Sequence, residues 1–286
     1  MDQRIIDLYD DFIHSHLDRR LFLERLARLV GSTATAVALL SQLQSNYALA
    51  QTVPETDPRL KTEDVTYPGS QGPVMGYVAR PASATRAPSV VVIHENRGLH
   101  PHIKDVARRL AIAGYIAVAP DLLSAIGGTP ANEDEALAKF AQIRQAPFAL
   151  ADALKSIDYL RGRSDGTGKI GVVGFCWGSG LVGQIAASGA DVDAVVVFYG
   201  VTPPLDKVPN IRAPLLLHYA GNDERVNATV PSFEAALRNA GKTYTLYTYE
   251  GTQHSFHNDT GGARYDAAAA KLAWSRTMEF FDRTLR

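Results

Sequence analysis

Two patterns of hydrophobic and polar residues alternate along the chain from about residue 62 to its end. Short apolar runs are typical of β-strands, and apolar side chains at every third or fourth position are typical of amphipathic helices. Continuous runs such as SVVVIHE indicate strands that are buried on both faces. The predicted strands are 62–68, 73–81, 89–95, 115–123, 169–175, 193–200, 214–221 and 243–251. The predicted helices are 103–112, 131–145, 147–161, 181–189, 230–241 and 265–284.

This alternation predicts an α/β fold, with a mostly parallel central sheet that is covered by helices on both faces. The first two strands are separated by the turn SQGP and predict a β-hairpin that opens the domain. Right-handed crossovers leave the functional residues of such a sheet at the carboxyl ends of its strands. Candidate chemistry is therefore expected in the residues that directly follow each strand.

The first fifty residues have a different pattern. Residues 1–30 carry apolar side chains at helical spacing with charged residues between them, which predicts amphipathic helix. Residues 51–61 are polar, contain two prolines and are interpreted as a linker. The predicted organisation is an N-terminal helical segment over 1–50, a linker over 51–61 and a catalytic domain over 62–286.

The N-terminal segment also resembles an export signal of the twin-arginine type. Arg19 and Arg20 precede an apolar stretch over 29–43, and Ala-Leu-Ala at 48–50 stands before Gln51. The apolar stretch is too short and too polar to span a membrane. Two interpretations remain open. A cleaved signal implies a periplasmic protein, and a helical hairpin that packs on the domain or on a second subunit implies a cytoplasmic one.

Composition restricts the classes of partner. The chain has 286 residues, of which 46% are apolar and 21% are charged, and its formal net charge is −1. These values are typical of a soluble globular protein, and they provide no field that would attract nucleic acid or an anionic membrane. We expect a small-molecule substrate and a monomer or homodimer. A single cysteine excludes an internal disulfide and a zinc site built from a cluster of cysteines.

That cysteine lies in the stretch GFCWGSG at 174–180, directly after a predicted strand and before a predicted helix. Glycine, any residue, nucleophile, any residue, glycine is the spacing of a nucleophile elbow. The positive end of the following helix lowers the pKa of a thiol. Cys176 is therefore the predicted nucleophile. The alternatives are a buried, inert cysteine and a serine esterase that uses Ser179, although that residue lies beyond the elbow.

Two further strand ends carry the partners that a nucleophile needs. Asp223 follows one strand within GNDERV, and His254 follows the next within GTQHSFHND. Nucleophile, acid and histidine thus occur in the chain order of α/β-hydrolases. His254 is the predicted base, and Asp223 is the predicted carboxylate that orients it. Glu224 is a rival acid, and a turn or helix cap is the structural alternative for Asp223.

A fourth predicted strand end with candidate functional residues is HENRG at 94–98. In α/β-hydrolases this loop supplies an oxyanion donor, so the backbone N–H groups of Asn96 and Trp177 are the predicted oxyanion hole. Glu95 is a carboxylate near the site, for which a salt bridge to Arg97 is the structural alternative. His100 and His102 suggest a metal pair, but no third ligand is evident, so no metal site is predicted.

These motifs, together with APDLL at 119–123, resemble the dienelactone hydrolase family of α/β-hydrolases over about residues 62–286. The resemblance implies an α/β-hydrolase fold, a Cys176–His254–Asp223 triad, and a Glu95 that interacts with the resting thiol. It implies neither a metal nor an organic cofactor. The family reaction is hydrolysis of the enol-lactone 4-carboxymethylenebut-2-en-4-olide to maleylacetate.

One position departs from the family pattern. Family members carry a substrate-binding arginine four residues past the catalytic histidine, where this chain has Asn258. Arg264 and Arg97 are the candidate replacements. The candidate aromatic wall of the substrate pocket consists of Trp177, Tyr199 and Phe256, for which a place in the core is the alternative. The resemblance therefore supports the triad more strongly than it supports the dienelactone as the substrate.

Other function classes fit the same pattern. The fold also supports a thiol-dependent acyltransferase or peptidase, which acceptor analysis would separate from a hydrolase. A non-catalytic binding protein would be expected to lack a member of the triad, and all three residue types are present.

Overall fold

The protein is described by a computed structural model that covers residues 1–14, 17–44, 46 and 52–286. Its described residues form one sheet of eight strands in the order β1-β2-β4-β3-β5-β6-β7-β8. The strands are β1 (Leu60–Pro68), β2 (Pro73–Pro81), β3 (Ala87–Ile93), β4 (Ile116–Pro120), β5 (Gly166–Phe175), β6 (Ala194–Phe198), β7 (Leu215–Asn222) and β8 (Tyr244–Gln253).

The sheet combines an antiparallel edge with a parallel core. Strand β1 pairs with β2, and β2 with β4, in antiparallel register, whereas every pairing from β4 through β3 to β8 is parallel. The predicted hairpin and the predicted parallel sheet are both confirmed. Parallel pairing brings the carboxyl ends of β3, β5, β7 and β8 to one edge.

Helices cover both faces of the sheet and complete two apolar cores, one on each side. The helices of the domain are α4 (Pro101–Ile112), α5 (Glu133–Ile143), α6 (Pro147–Arg161), α7 (Trp177–Ala187), α8 (Glu224–Asn227), α9 (Val230–Asn239) and α10 (Ala267–Leu285). The central strands β3, β4 and β6 are buried along their whole length. That burial explains their continuous apolar sequences, because a strand covered on both faces has no solvent-facing side.

The segment expected to be a linker is bound to the domain in its described part. Val53 is buried, its N–H donates to Asp105 at 2.9 Å, and its carbonyl accepts from Arg108 at 2.6 Å. Strand β1 already begins at Leu60, within the range expected to be linker. Polar composition predicted the lack of regular structure over 52–59, but it carries no information about hydrogen bonds to a distant helix.

The N-terminal segment forms three helices, α1 (Gln3–His14), α2 (Arg19–Val30) and α3 (Thr33–Leu43). Their apolar faces pack together in a small core of their own. Asp18 caps α2 by accepting from the N–H of Leu21 at 2.9 Å. The residues of the twin-arginine pair are at least partly exposed, and Arg19 pairs with Asp134 of α5. Residues 47–51, which include the expected cleavage site, lie outside the described residues.

Helix α1 docks on the edge of the sheet where the strands end. Its last carbonyls accept hydrogen bonds from the domain: Asn96 Nδ2 donates to Ile13 O at 2.9 Å, and Arg144 donates to His14 O at 2.9 Å. None of the helices in the described ranges combines the length and the apolar character that crossing a membrane requires.

Candidate active site

Cys176 lies at a sharp turn between β5 and α7. Its backbone has φ 55° and ψ −117°, a conformation that costs a non-glycine residue energy. The two flanking glycines make this turn possible. A Cβ on Gly174 would lie 2.4 Å from the Gly178 carbonyl oxygen, and one on Gly178 would lie 2.4 Å from the His94 carbonyl oxygen. The stretch GFCWGSG therefore has the local geometry of a nucleophile elbow.

Ser179 points away from the cavity at this turn. Its hydroxyl contacts the Gly174 carbonyl, accepts from the Phe198 N–H at 2.7 Å and lies 2.8 Å from the Phe198 carbonyl. The side chain is fully buried. Ser179 thus ties α7 to β6, and this arrangement argues against the alternative of a serine nucleophile.

Asp223 and His254 meet at the ends of β7 and β8. The Nδ1 atom of His254 lies 2.5 Å from Asp223 Oδ2, and both side chains are buried. A carboxylate only accepts, so Nδ1 carries the proton and Nε2 is left as the free nitrogen. In the described structure His254 Nε2 is buried without a hydrogen-bond partner. The rival Glu224 is exposed and begins α8.

Charge determines the protonation of this pair. Burial opposes ionisation of Asp223, but the neighbouring charges of His254 and Arg225 outweigh it and lower the pKa of the carboxyl group. Burial likewise opposes a charged His254, but Asp223 and an ionised Cys176 outweigh it and raise its pKa to about 10. A thiolate on Cys176 would therefore face an imidazolium on His254.

A second histidine, His14 at the end of α1, reaches the same point. Its Nε2 lies 3.1 Å from Cys176 Sγ, and its ring packs edge-on against His254 with centroids 4.6 Å apart. Its Nδ1 lies 2.9 Å from the carbonyl oxygen of Asp10 and must carry the proton, because a carbonyl only accepts. The contact with sulfur is then a hydrogen bond that the Cys176 thiol donates. Burial and the charge of His254 keep the pKa of His14 well below its usual range.

The pattern of the catalytic domain could not have identified His14. It lies 162 positions before Cys176, and no strand-end argument applies to an N-terminal helix. Its one local signal is the position at the end of an amphipathic helix whose apolar face needs a surface to cover.

Glu95 has partners other than the thiol. Asn258 Nδ2 donates to its Oε2 at 2.7 Å, Tyr199 OH donates to its Oε1 at 3.4 Å, and His100 Nε2 lies 3.9 Å away. In the described structure the thiol bonds to His14, not to Glu95 as the resemblance implied. Asn258, at the position of the family arginine, supplies the amide that holds Glu95, so this departure changes the setting of the carboxylate.

The expected oxyanion donors lie beside the nucleophile. Trp177 is the first residue of α7, and N–H groups in the first turn of a helix have no intrahelical acceptor. Asn96 follows β3 and lines the same cavity as Cys176. This cavity has a volume of about 260 Å³. Trp177 and Tyr199 also line it, whereas Phe256 is fully buried among Phe198, Tyr199 and Tyr249 and belongs to the core.

The two arginines expected to bind substrate lie beneath α1. Arg97 donates to Tyr9 OH at 3.3 Å and pairs with Glu133 at 3.5 Å. Arg264 lies 3.6 Å from Asp10 and stacks over the Tyr9 ring. Among the described residues, the arginines that line the cavity are Arg144 and Arg225 instead. Arg225 belongs to the motif GNDERV, so its proximity to Asp223 in the sequence was the available signal.

The remaining histidines near the site belong to structural contacts. His102 Nδ1 lies 2.7 Å from Asp259, and His257 is buried against the ring of Phe175. Within the described ranges, neither His100 nor His102 belongs to the group of side chains that could share a metal ion.

Family models match both the catalytic domain and the N-terminal helices of the chain. The model of the Dienelactone hydrolase family matches residues 74–285. The chain belongs to the dienelactone hydrolase family. A second family model, YqhI-like, matches residues 1–31, which span α1 and α2. The dienelactone hydrolase match identifies the catalytic domain as that of a hydrolase.

Individual relatives agree with this assignment. A protein of Methylorubrum extorquens named "Putative carboxymethylenebutenolidase" is 32% identical over 274 residues, which are 91% of this chain and 92% of the relative. The "Putative hydrolase fragment YghX" of Escherichia coli K12 is 55% identical over 104 residues, covering 35% of this chain and 89% of the relative.

A solved structure supports the fold. The crystal structure of a "Putative Dienelactone Hydrolase" from Klebsiella pneumoniae superposes with a TM-score of 0.71 at 28% identity, covering 78% of this chain and 99% of that one. The expected α/β-hydrolase fold and the expected family are confirmed.

Proposed function

We propose that this dienelactone hydrolase family member cleaves ester or lactone bonds with Cys176 as the nucleophile. The observation that supports the proposal is the constellation at the strand ends. A strained cysteine begins a helix, and a histidine with a free Nε2 lies beside it, held by a buried aspartate through a 2.5 Å contact. These are the roles of nucleophile, base and orienting acid.

The reaction proceeds through a thioester. The Cys176 thiolate attacks the carbonyl carbon, and the N–H groups of Asn96 and Trp177 stabilise the oxyanion, a contribution of about 3–4 kcal/mol for one donor. His254 gives its proton to the leaving oxygen as the carbon–oxygen bond breaks. The same histidine then removes a proton from water, which attacks the thioester, releases the carboxylic acid and restores the thiolate. Asp223 holds the ring throughout.

The chemistry favours activated esters. A thiolate leaves a tetrahedral intermediate more easily than an amide nitrogen does, so attack on amides mostly reverses. Enol-lactones, enol esters and aryl esters have better leaving groups and are the proposed substrate class. The name of the Methylorubrum relative, carboxymethylenebutenolidase, points to an enol-lactone that bears a carboxylate.

Steady-state hydrolysis of three substrates tests this proposal in the full-length protein. We expect turnover of 4-carboxymethylenebut-2-en-4-olide and of p-nitrophenyl acetate, and none of p-nitroacetanilide, which differs from the aryl ester by its amide nitrogen. Turnover of the aryl ester alone would support ester hydrolysis but would contradict the lactone as a substrate. Faster cleavage of the anilide than of the ester would contradict the mechanism.

Arg225 is the proposed contact for the substrate carboxylate. It is exposed at the cavity and forms no ion pair with another described residue, so its charge is available to a ligand. Replacing Arg225 with glutamine is expected to raise KM for the carboxylated lactone by about 10-fold, since a charge-assisted hydrogen bond contributes roughly 1.5–3 kcal/mol. KM for p-nitrophenyl acetate, which has no carboxylate, should change less than twofold. Equal effects on both substrates would contradict the assignment.

A further inference from the structure

Docking of α1 gathers three side chains with metal-ligand atoms around one point. The Sγ atom of Cys176 and one ring nitrogen each of His14 and His254 lie within 4.8 Å of one another. Cys176 and His254 are buried, and His14 is partly buried. Because two of the ligands come from the catalytic domain and the third from α1, the group exists only when α1 is docked.

The two imidazoles are oriented as metal-binding histidines are. The Nδ1–H of His14 is directed at the Asp10 carbonyl, and that of His254 at the Asp223 carboxylate. A carbonyl or carboxylate on the far nitrogen is the usual outer partner of a metal-bound histidine, because it fixes the tautomer and makes the other nitrogen more basic. Both Nε2 atoms are therefore left for the metal, and a metal ion that binds His254 would displace the proton on its Nε2. His254 Nε2 is buried and has no other described partner.

We propose that these three residues bind a divalent transition-metal ion, with Zn²⁺ the best match. One thiolate and two imidazoles are ligands that Zn²⁺ prefers, and three protein ligands leave the fourth tetrahedral position to water. A tetrahedral zinc ion places a sulfur and a nitrogen ligand about 3.5 Å apart. The observed separation of 3.1 Å between Cys176 Sγ and His14 Nε2 needs only a small adjustment.

The site shares Cys176 and His254 with the proposed triad and adds His14 from α1. The dienelactone hydrolase model begins at residue 74, so His14 lies outside the part of the chain that it matches. If the proposed cysteine chemistry holds, bound metal inhibits hydrolysis, because it occupies the lone pairs of both the nucleophile and the base. Metal binding itself rests on the three residues alone and not on the proposed function.

The test uses the full-length protein after treatment with a chelator, and it needs no substrate. Calorimetric titration with Zn²⁺ is expected to show one ion bound per chain. Co²⁺ in its place should give a thiolate-to-metal charge-transfer band and the visible spectrum of a four-coordinate ion. Bound Zn²⁺ should also slow alkylation of Cys176 by iodoacetamide.

Variants separate this site from adventitious binding. His14→Gln is expected to weaken Zn²⁺ binding by roughly 100-fold or more, since even the loss of an outer partner costs about 10–100-fold. Cys176→Ser should abolish the charge-transfer band. Arg4→Ala changes an exposed residue of the same helix whose ion-pair partner among the described residues is its neighbour Asp2, and it should bind Zn²⁺ as wild type does.

Circular dichroism of each variant is the control that it is folded. Equal Zn²⁺ affinity in wild type and His14→Gln would overturn the proposal, as would a Co²⁺ complex without a sulfur band. The titrations measure metal binding without a substrate. They can therefore be interpreted even if the protein proves not to hydrolyse esters or lactones.

Discussion

Replacing Cys176 with alanine is expected to reduce kcat/KM for ester hydrolysis by about 10⁴–10⁶-fold, the range seen when a catalytic nucleophile is removed. The acyl group then has no protein atom to which it can transfer, and only the oxyanion donors and the cavity remain. Initial rates with p-nitrophenyl acetate measure the loss. Cys176→Ser should restore little activity, because a hydroxyl is a weaker nucleophile than a thiol and needs a different arrangement to activate it.

The covalent intermediate provides the second half of this test. Intact-mass analysis of wild type quenched in acid during turnover should show the mass of one acyl group, absent from Cys176→Ala. The unfolding transition of the variant in urea serves as the control, because Cys176 contacts His14 and its loss could disturb the docking of α1. A folded Cys176→Ala that keeps more than about one hundredth of the activity would exclude Cys176 as the nucleophile.

The strand ends could be predicted from the sequence because parallel sheets impose a geometry on them. Cys176, Asp223 and His254 each follow a predicted strand, and parallel pairing brings those ends to one edge. The nucleophile elbow could also be predicted from the sequence, since only glycine fits at Gly174 and Gly178. Local sequence and topology therefore carried most of the information about the proposed triad.

The contacts of α1 could not be predicted in this way. The amphipathic pattern indicates that the helix covers something, but periodicity does not say which surface it covers. As a result, Arg97 and Arg264 were interpreted as substrate ligands, although α1 covers both. Phe256 was a candidate for the pocket wall with the core as its alternative, because an aromatic residue close to His254 in the sequence can face either; here it faces the core. Long-range packing decided each of these cases.

Replacing Asp223 with asparagine is expected to lower kcat by about 10³–10⁴-fold, because the amide no longer fixes the tautomer of His254 or stabilises its charge. Glu224→Gln, at the exposed neighbouring position, is the matched control and should retain nearly full activity. If Glu224→Gln proved the more damaging change, Glu224 and not Asp223 would be the acid of the triad.

The same variant makes a prediction about pH. The carboxylate of Asp223, with an ionised Cys176, overcomes burial and raises the pKa of His254 to about 10. A raised pKa keeps the imidazolium protonated to higher pH, so the wild-type rate should fall only as the pH approaches 10. Without the carboxylate the pKa drops, and the alkaline limb of kcat/KM in Asp223→Asn should move to lower pH. An alkaline limb at the same pH in both proteins would mean that Asp223 does not set the charge of His254, because removing its strongest favourable neighbour must lower the pKa of the ring.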